Sequence, residues 1–160
     1  MHFTPAERQA MIAVIQRFPA ELEALVQGLS DADLRTHYLE HEWTVAQNVH
    51  HVADSHMNSL IRLKLALTED TPTIKPYDQD AWAITADYDP PIAVSLGLLR
   101  GLHERWCFLW ESLDDSQWTR TLRHPESGTL TLEDHLEVYR DHCWAHLDQI
   151  RRTLAAKPGI

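Results

Sequence analysis

The chain has 160 residues, 24 of them acidic and 14 basic, for a formal net charge of −10 with histidine counted neutral. That balance argues against nucleic acid or an anionic membrane as partner, because phosphate binding depends on clustered Lys and Arg that release counterions. A chain of this length with an apolar fraction of 44% is expected to form one domain, 1–160, that buries a core without disulfides or metal staples.

Cys107 and Cys143 fall on separate predicted helices without a CxxC pattern, so they read as reduced thiols of a cytoplasmic protein. The opening MHFTPAERQA lacks a basic region followed by an apolar core, and no run approaches the ~18 apolar residues of a membrane span. Two counts stand out, 11 histidines and 6 tryptophans. Tryptophan in such numbers serves packing, whereas surplus histidine points to metal or proton chemistry.

The first predicted helix runs from about Pro5 to Gln27. Thr4, Pro5 and Glu7 form its start signal, and Met11, Val14, Ile15, Phe18, Leu22 and Leu25 hold the helical period until Gly28 ends it. Pro19 interrupts this helix and predicts a kink. Ser30 and Asp33 cap a short helical turn. Thr44 and Gln47 then open a long second helix, buried along Val45, Val49, Val52, Leu60, Leu63 and Leu67. Beside that stripe runs a polar one, Asn48, His51, Ser55, Asn58 and Arg62. A solvated face carries Lys and Glu; this one carries groups that coordinate or hydrogen-bond, as the wall of a site would.

A proline-rich loop from Thr68 to Asp80 leads to a short helix near Asp78 to Thr85. Pro90 or Pro91 opens a third long helix reaching about Leu113, with Val94, Leu98, Leu102 or Gly101, Trp106, Leu109 and Leu113 as its stripe, flanked by His103, Glu104 and Arg105. Ser116 to Trp118 predicts another capped turn. The following segment alternates and turns at Glu126, Ser127 and Gly128, as a small hairpin does. Thr131 and Asp134 cap the last long helix, whose basic end at Arg151, Arg152 and Lys157 suits the macrodipole. Four long amphipathic helices predict an all-α four-helix bundle, and the long crossing between the second and third argues against simple up-down connectivity.

His142 and His146 stand four residues apart on the last helix, so both rings can converge on one ion. Their phase turns them inward, since Leu132, Leu136, Tyr139, Cys143, His146 and Ile150 share a face that His135 and His142 border. His37 and His41 repeat the spacing, but in a connector. With His51 on the facing polar stripe, three imidazoles from two helices make a metal site that keeps at least one position open. The HExxH motif of zincins, the paired ExxH of di-iron bundles and the GxSxG of serine hydrolases are absent.

The run from Val49 to Trp82 resembles the signature of the YfiT-like branch of the DinB superfamily, and LLRGLHERW and HPESGTLTLEDHLEVY are similar to its later segments. The resemblance spans nearly the whole chain. It implies a DinB-like four-helix bundle binding zinc or nickel through three histidines. Here these are His51, the second of the HH pair, with His142 and His146 ahead of the closing HLDQI. It implies a metal-dependent hydrolase or a transferase joining a bacillithiol-like thiol to an electrophile, and a homodimer. Around the last pair the chain departs from relatives that carry further histidines where it has Cys143, Trp144, Ala145 and Gln149.

The expected function is S-transfer, the ion lowering the pKa of a small thiol and presenting it to an electrophilic small molecule. The alternatives are hydrolysis by a metal-bound hydroxide, or a bundle that binds metal or a small molecule without turnover. A closed structural site would need Cys143 or His50 as fourth ligand. Asp54 is a candidate acceptor behind a ligand or a proton carrier, with a surface salt bridge as the plain alternative. Asn58, Arg62 and His103 are candidate substrate contacts. His50 and His56 are left to packing or support, and Thr68 to Asp80 is expected to rim the site.

Overall fold

A computed structural model describes residues 3–158, and the ends of the expected domain, 1–2 and 159–160, lie outside them. Four long helices form a bundle: α1 (Pro5–Val26), α3 (Val45–Thr68), α5 (Ala93–Glu111) and α7 (Leu132–Ala155). Short helices α2 (Asp31–Arg35), α4 (Gln79–Trp82) and α6 (Asp115–Trp118) sit in the connections, with a 3-10 turn at Ala86–Tyr88. The expected hairpin is present as antiparallel β1 (Thr121–His124) and β2 (Gly128–Thr131), with Thr121 opposite Thr131. Gly128, at φ +82°, takes the left-handed conformation that leaves the turn.

The helix starts follow from local chemistry. Thr4 with Glu7, Ser30 with Asp33, Thr44 with Gln47 and Thr131 with Asp134 each form the reciprocal capping box, and Asp114 with Gln117 does the same for α6. Each cap satisfies amides that the helix cannot, at about 1 kcal/mol apiece.

Both α1 and α3 pack against α5 and α7, so α1 faces α3 across the diagonal and α5 faces α7. The connectivity is not simple up-down, as expected, but the crossing lies elsewhere. The second and third long helices are neighbours, and the diagonal passages are the first to the second and the third to the fourth. The long link after α3 does not cross the bundle; it folds onto the hairpin, where Ile74 N donates to the Arg123 carbonyl and Arg123 N to that of Pro72.

Two helices differ in detail from their periodicity. α1 runs through Pro19, whose ring is buried. On α5 the buried row is Leu96, Leu99, His103, Trp106, Cys107 and Trp110, while Val94 and Leu98 are 65% and 46% exposed. The two rows adjoin on the wheel, and packing on α1 and α3 selects the one bearing the larger rings. Arg8 ties the start of α7 to α1: it is buried against Glu133 at 3.5 Å, reaches Asp115 at 3.3 Å and stacks over Trp118.

Candidate metal centre

Where α3 and α7 run side by side, His51, His142 and His146 bring ring nitrogens all within 4.8 Å of one another. The four-residue spacing sets the His142 and His146 rings 4.3 Å apart on adjacent turns, and the His51 ring stands 4.8 Å from that of His146. Burial pushes His51 down to about 3 and His146 to about 4, and holds His142 well below its ordinary value, with neighbouring rings adding to the effect at His51 and His142. All three are therefore neutral at neutral pH, the form in which imidazole binds a metal.

A hydrogen bond behind the ring settles which nitrogen of His146 faces inward. Asn48 Nδ2 donates to the Thr44 carbonyl at 3.0 Å, which turns Oδ1 toward His146 Nδ1 at 2.9 Å. An amide oxygen only accepts, so His146 carries its proton on Nδ1 and offers the lone pair of Nε2. His142 Nδ1 lies 3.1 Å from His56 Nε2, and its own Nε2 lies 3.3 Å from Ser55 Oγ. His51 Nδ1 is buried without a hydrogen-bond partner, beneath the Trp43 ring at 4.6 Å.

Three converging neutral imidazoles, one with an orphaned buried nitrogen, fit a divalent ion. Among the described residues no cysteine or carboxylate joins the group. Cys143 is buried in the core with its thiol pushed well above the ordinary range by burial, and His50 Nδ1 is bonded to Ser95 Oγ at 2.8 Å. With three protein ligands the arrangement is open, as catalytic sites are.

A cavity of about 290 Å³ reaches His142. Its floor is Ser55, Tyr139 and His135; the hairpin contributes Leu122, His124 and Leu130; the loop after α3 contributes Ile74, Pro76 and Tyr77. That loop is thus a rim, as its position after the polar stripe implies. Two groups on the cavity wall are fixed as donors. His124 Nδ1 accepts from the amides of Glu126 and Ser127, so its proton is on Nε2. Burial pushes the Tyr77 hydroxyl up to about 12, so it stays protonated.

The other candidates separate. Arg62 lines the cavity and donates to the Lys75 carbonyl at 3.2 Å. Asn58 lines a different cavity with Lys75, Asp78 and Trp82, and its amide donates to the Asp54 carbonyl. Asp54 accepts from Tyr88 Oη at 2.8 Å, and burial raises its carboxyl; the groups bonded behind the ligands are Asn48 and His56. His103 does not contact the cavity. It is 2% exposed and spends both ring nitrogens on the Ile15 carbonyl and His56, which corrects its reading as a substrate contact. Asn48 carried a sequence signal, one turn before His51 on the same stripe; His56 carried none beyond being a histidine on a buried helix.

The profile of the DinB superfamily matches residues 15–150. A protein of Oceanobacillus iheyensis is 46% identical over 136 residues, 85% of this chain and 79% of the relative. YfiT of Bacillus subtilis is 44% identical over 148 residues, 90% of this chain and 82% of its own. Both are named provisionally as metal-dependent hydrolases. The solved structure of YfiT, described as a probable metal-dependent hydrolase with an unusual four-helix bundle topology, superposes with a TM-score of 0.91 over 94% of this chain and 87% of that one, at 41% identity. A mycothiol-dependent maleylpyruvate isomerase shares the fold, with a TM-score of 0.68 at 17% identity, covering 92% of this chain and 68% of the other.

Proposed function

This chain belongs to the DinB superfamily, and we propose that it is a metal-dependent hydrolase of small molecules, working at the His51, His142 and His146 centre. The observation that carries the reading is an open three-imidazole cluster whose His142 also lines a cavity. Bound there, a divalent ion, which we take to be zinc or nickel, supplies a Lewis acid that makes water a nucleophile near neutral pH and polarises an acyl or phosphoryl oxygen.

The chain's own groups do the rest. Asn48 and His56 hold His146 and His142 in register. Arg62, His124 Nε2–H and Tyr77 point to a substrate rich in acceptor oxygens, such as a small carboxylate ester or amide, because the one acid on the wall is Glu126. Leu122, Leu130 and Ile74 receive its apolar part.

The test uses chain freed of metal by chelation, then reloaded with zinc or with nickel, against a panel of small esters, amides and phosphoesters. Turnover that returns on reloading and is absent from His51→Ala supports the proposal; full turnover by metal-free chain overturns it. Loss of a low-molecular-weight thiol in the presence of an electrophile, run in parallel, would instead mark S-transfer, the competing use of the same centre. The homodimer that the resemblance implies would cover the exposed α5 side chains, Phe108 being 74% exposed; Phe108→Arg is expected to lower the dimer fraction in sedimentation velocity.

A further inference from the structure

We propose that His56 and His103 are positioning residues of the metal centre, two rings of a one-way hydrogen-bond relay that starts at a carbonyl freed by Pro19 and locks His142 with its Nε2 lone pair toward the ion. The proposal rests on the three-histidine centre described above, but no residue of the relay other than His142 reaches it.

The relay begins with a missing donor. In an α-helix the amide of residue 19 would bond the carbonyl of residue 15, and proline has no amide hydrogen. The Ile15 carbonyl, buried inside the bundle, is therefore left to another donor, and His103 Nδ1 supplies it at 2.7 Å. A carbonyl only accepts, so the neutral His103 ring has its proton on Nδ1 and a bare Nε2. Nε2 lies 2.8 Å from His56 Nδ1, which must donate, leaving His56 Nε2 bare in turn. His56 Nε2 lies 3.1 Å from His142 Nδ1. His142 thus donates from Nδ1 and keeps the lone pair of Nε2, to which Ser55 Oγ is near enough to donate at 3.3 Å.

The relay crosses all four long helices, from Ile15 on α1 to His103 on α5, His56 on α3 and His142 on α7. Its rings are tightly held: Phe18 stacks on His103 and tilts against His56, while Trp106 abuts both. The Ile15 carbonyl, which can only accept, sets the order of the donors from its end. The reverse order would place the proton of His142 on Nε2 and make that nitrogen a donor, unable to ligate. Since the far end is a carbonyl that cannot take up a proton, the relay orients and does not conduct. It serves His142 as the Asn48 amide serves His146.

The first readout needs no metal and no activity. Long-range ¹H–¹⁵N correlation spectra of the histidine rings in metal-free wild type are expected to show His103, His56 and His142 all protonated on Nδ1. His142 protonated on Nε2 overturns the proposal. The second readout is competition titration with zinc and with nickel. His56→Phe and His103→Leu, checked for helical content by circular dichroism, are expected to bind about 10- to 100-fold more weakly, the range for partners behind metal ligands. His56→Gln, whose Oε1 can still accept from His142, should bind nearer to wild type than His56→Phe. Folded variants that all bind as tightly as wild type overturn the lock. Should His56→Phe not fold, the wild-type spectra and His103→Leu decide. Wild type that binds neither metal would sink the functional reading instead, while the ring spectra would still report on the relay.

Discussion

Two seams of this bundle are differently made. α1 and α5, which pack together, bring Ile12, Leu22, Leu99 and Trp110 to the core. α3 and α7 bring Asn48, Ser55 and Ser59 against His135, Tyr139, His142 and His146. Carbon against carbon is non-directional, so apart from the one buried link of His103 Nδ1 to the Ile15 carbonyl the first seam needs only volume and shape. In the second every nitrogen and oxygen needs a partner of the right sense. Removing one group leaves another buried and unpaired, and the loss is felt as orientation as well as stability. The first seam therefore holds the fold and the second holds the site.

The largest effect expected is on the second seam. His51→Ala and His146→Ala should each take bound zinc or nickel from one ion per chain to none after dialysis, measured by elemental analysis, while the metal-free variants still unfold cooperatively. Retained stoichiometry in both would refute the ligand assignment.

Acid should come next, again through the polar seam and its neighbours. Burial holds His103 and His135 down to about 4, against about 6.5 in an unfolded chain. Between those values the unfolded state takes up protons that the folded state does not. Stability is accordingly complete above pH 6.5 and falls as pH drops toward 4, by roughly 3 kcal/mol for each ring. Urea midpoints of metal-free chain at pH 7.5 and pH 5 measure this, and equal midpoints would contradict it.

On the apolar seam, Leu22→Ala should cost about 2–5 kcal/mol by denaturant unfolding. The folded variant should bind metal as wild type does, since Leu22 takes no part in the hydrogen bonds behind the ligands. Weakened binding there would mean that the seams are coupled more tightly than their chemistry implies. Asn48→Ala reverses the pattern. It should weaken metal binding about 10- to 100-fold by freeing His146 to change tautomer. Its unfolding midpoint should move less than that of Leu22→Ala.

Much of this protein was legible without a structure because its signals are local. The capping pairs at Thr4, Ser30, Thr44 and Thr131 lie within one turn of the helices they start, and the turn before Gly128 needs its left-handed glycine whatever surrounds it. His142 and His146 are legible for the same reason: a four-residue spacing is geometry once the segment is helical. His51 adds phase on a polar stripe, and the resemblance to a known family names the same three.

What only the tertiary structure decided involves groups brought together from distant positions. Periodicity puts Val94 and Leu98 on the buried stripe of α5, but neighbours α1 and α3 bury Leu99, Trp106 and Trp110 and leave Val94 and Leu98 outside. His103 reads as a ring beside a site until its partners are known, and those lie 47 and 88 positions away. Pro19 reads as a helix breaker. In the bundle its missing amide is what gives His103 an acceptor, because a freed carbonyl in a dry interior must find a donor and the fold places that ring within reach.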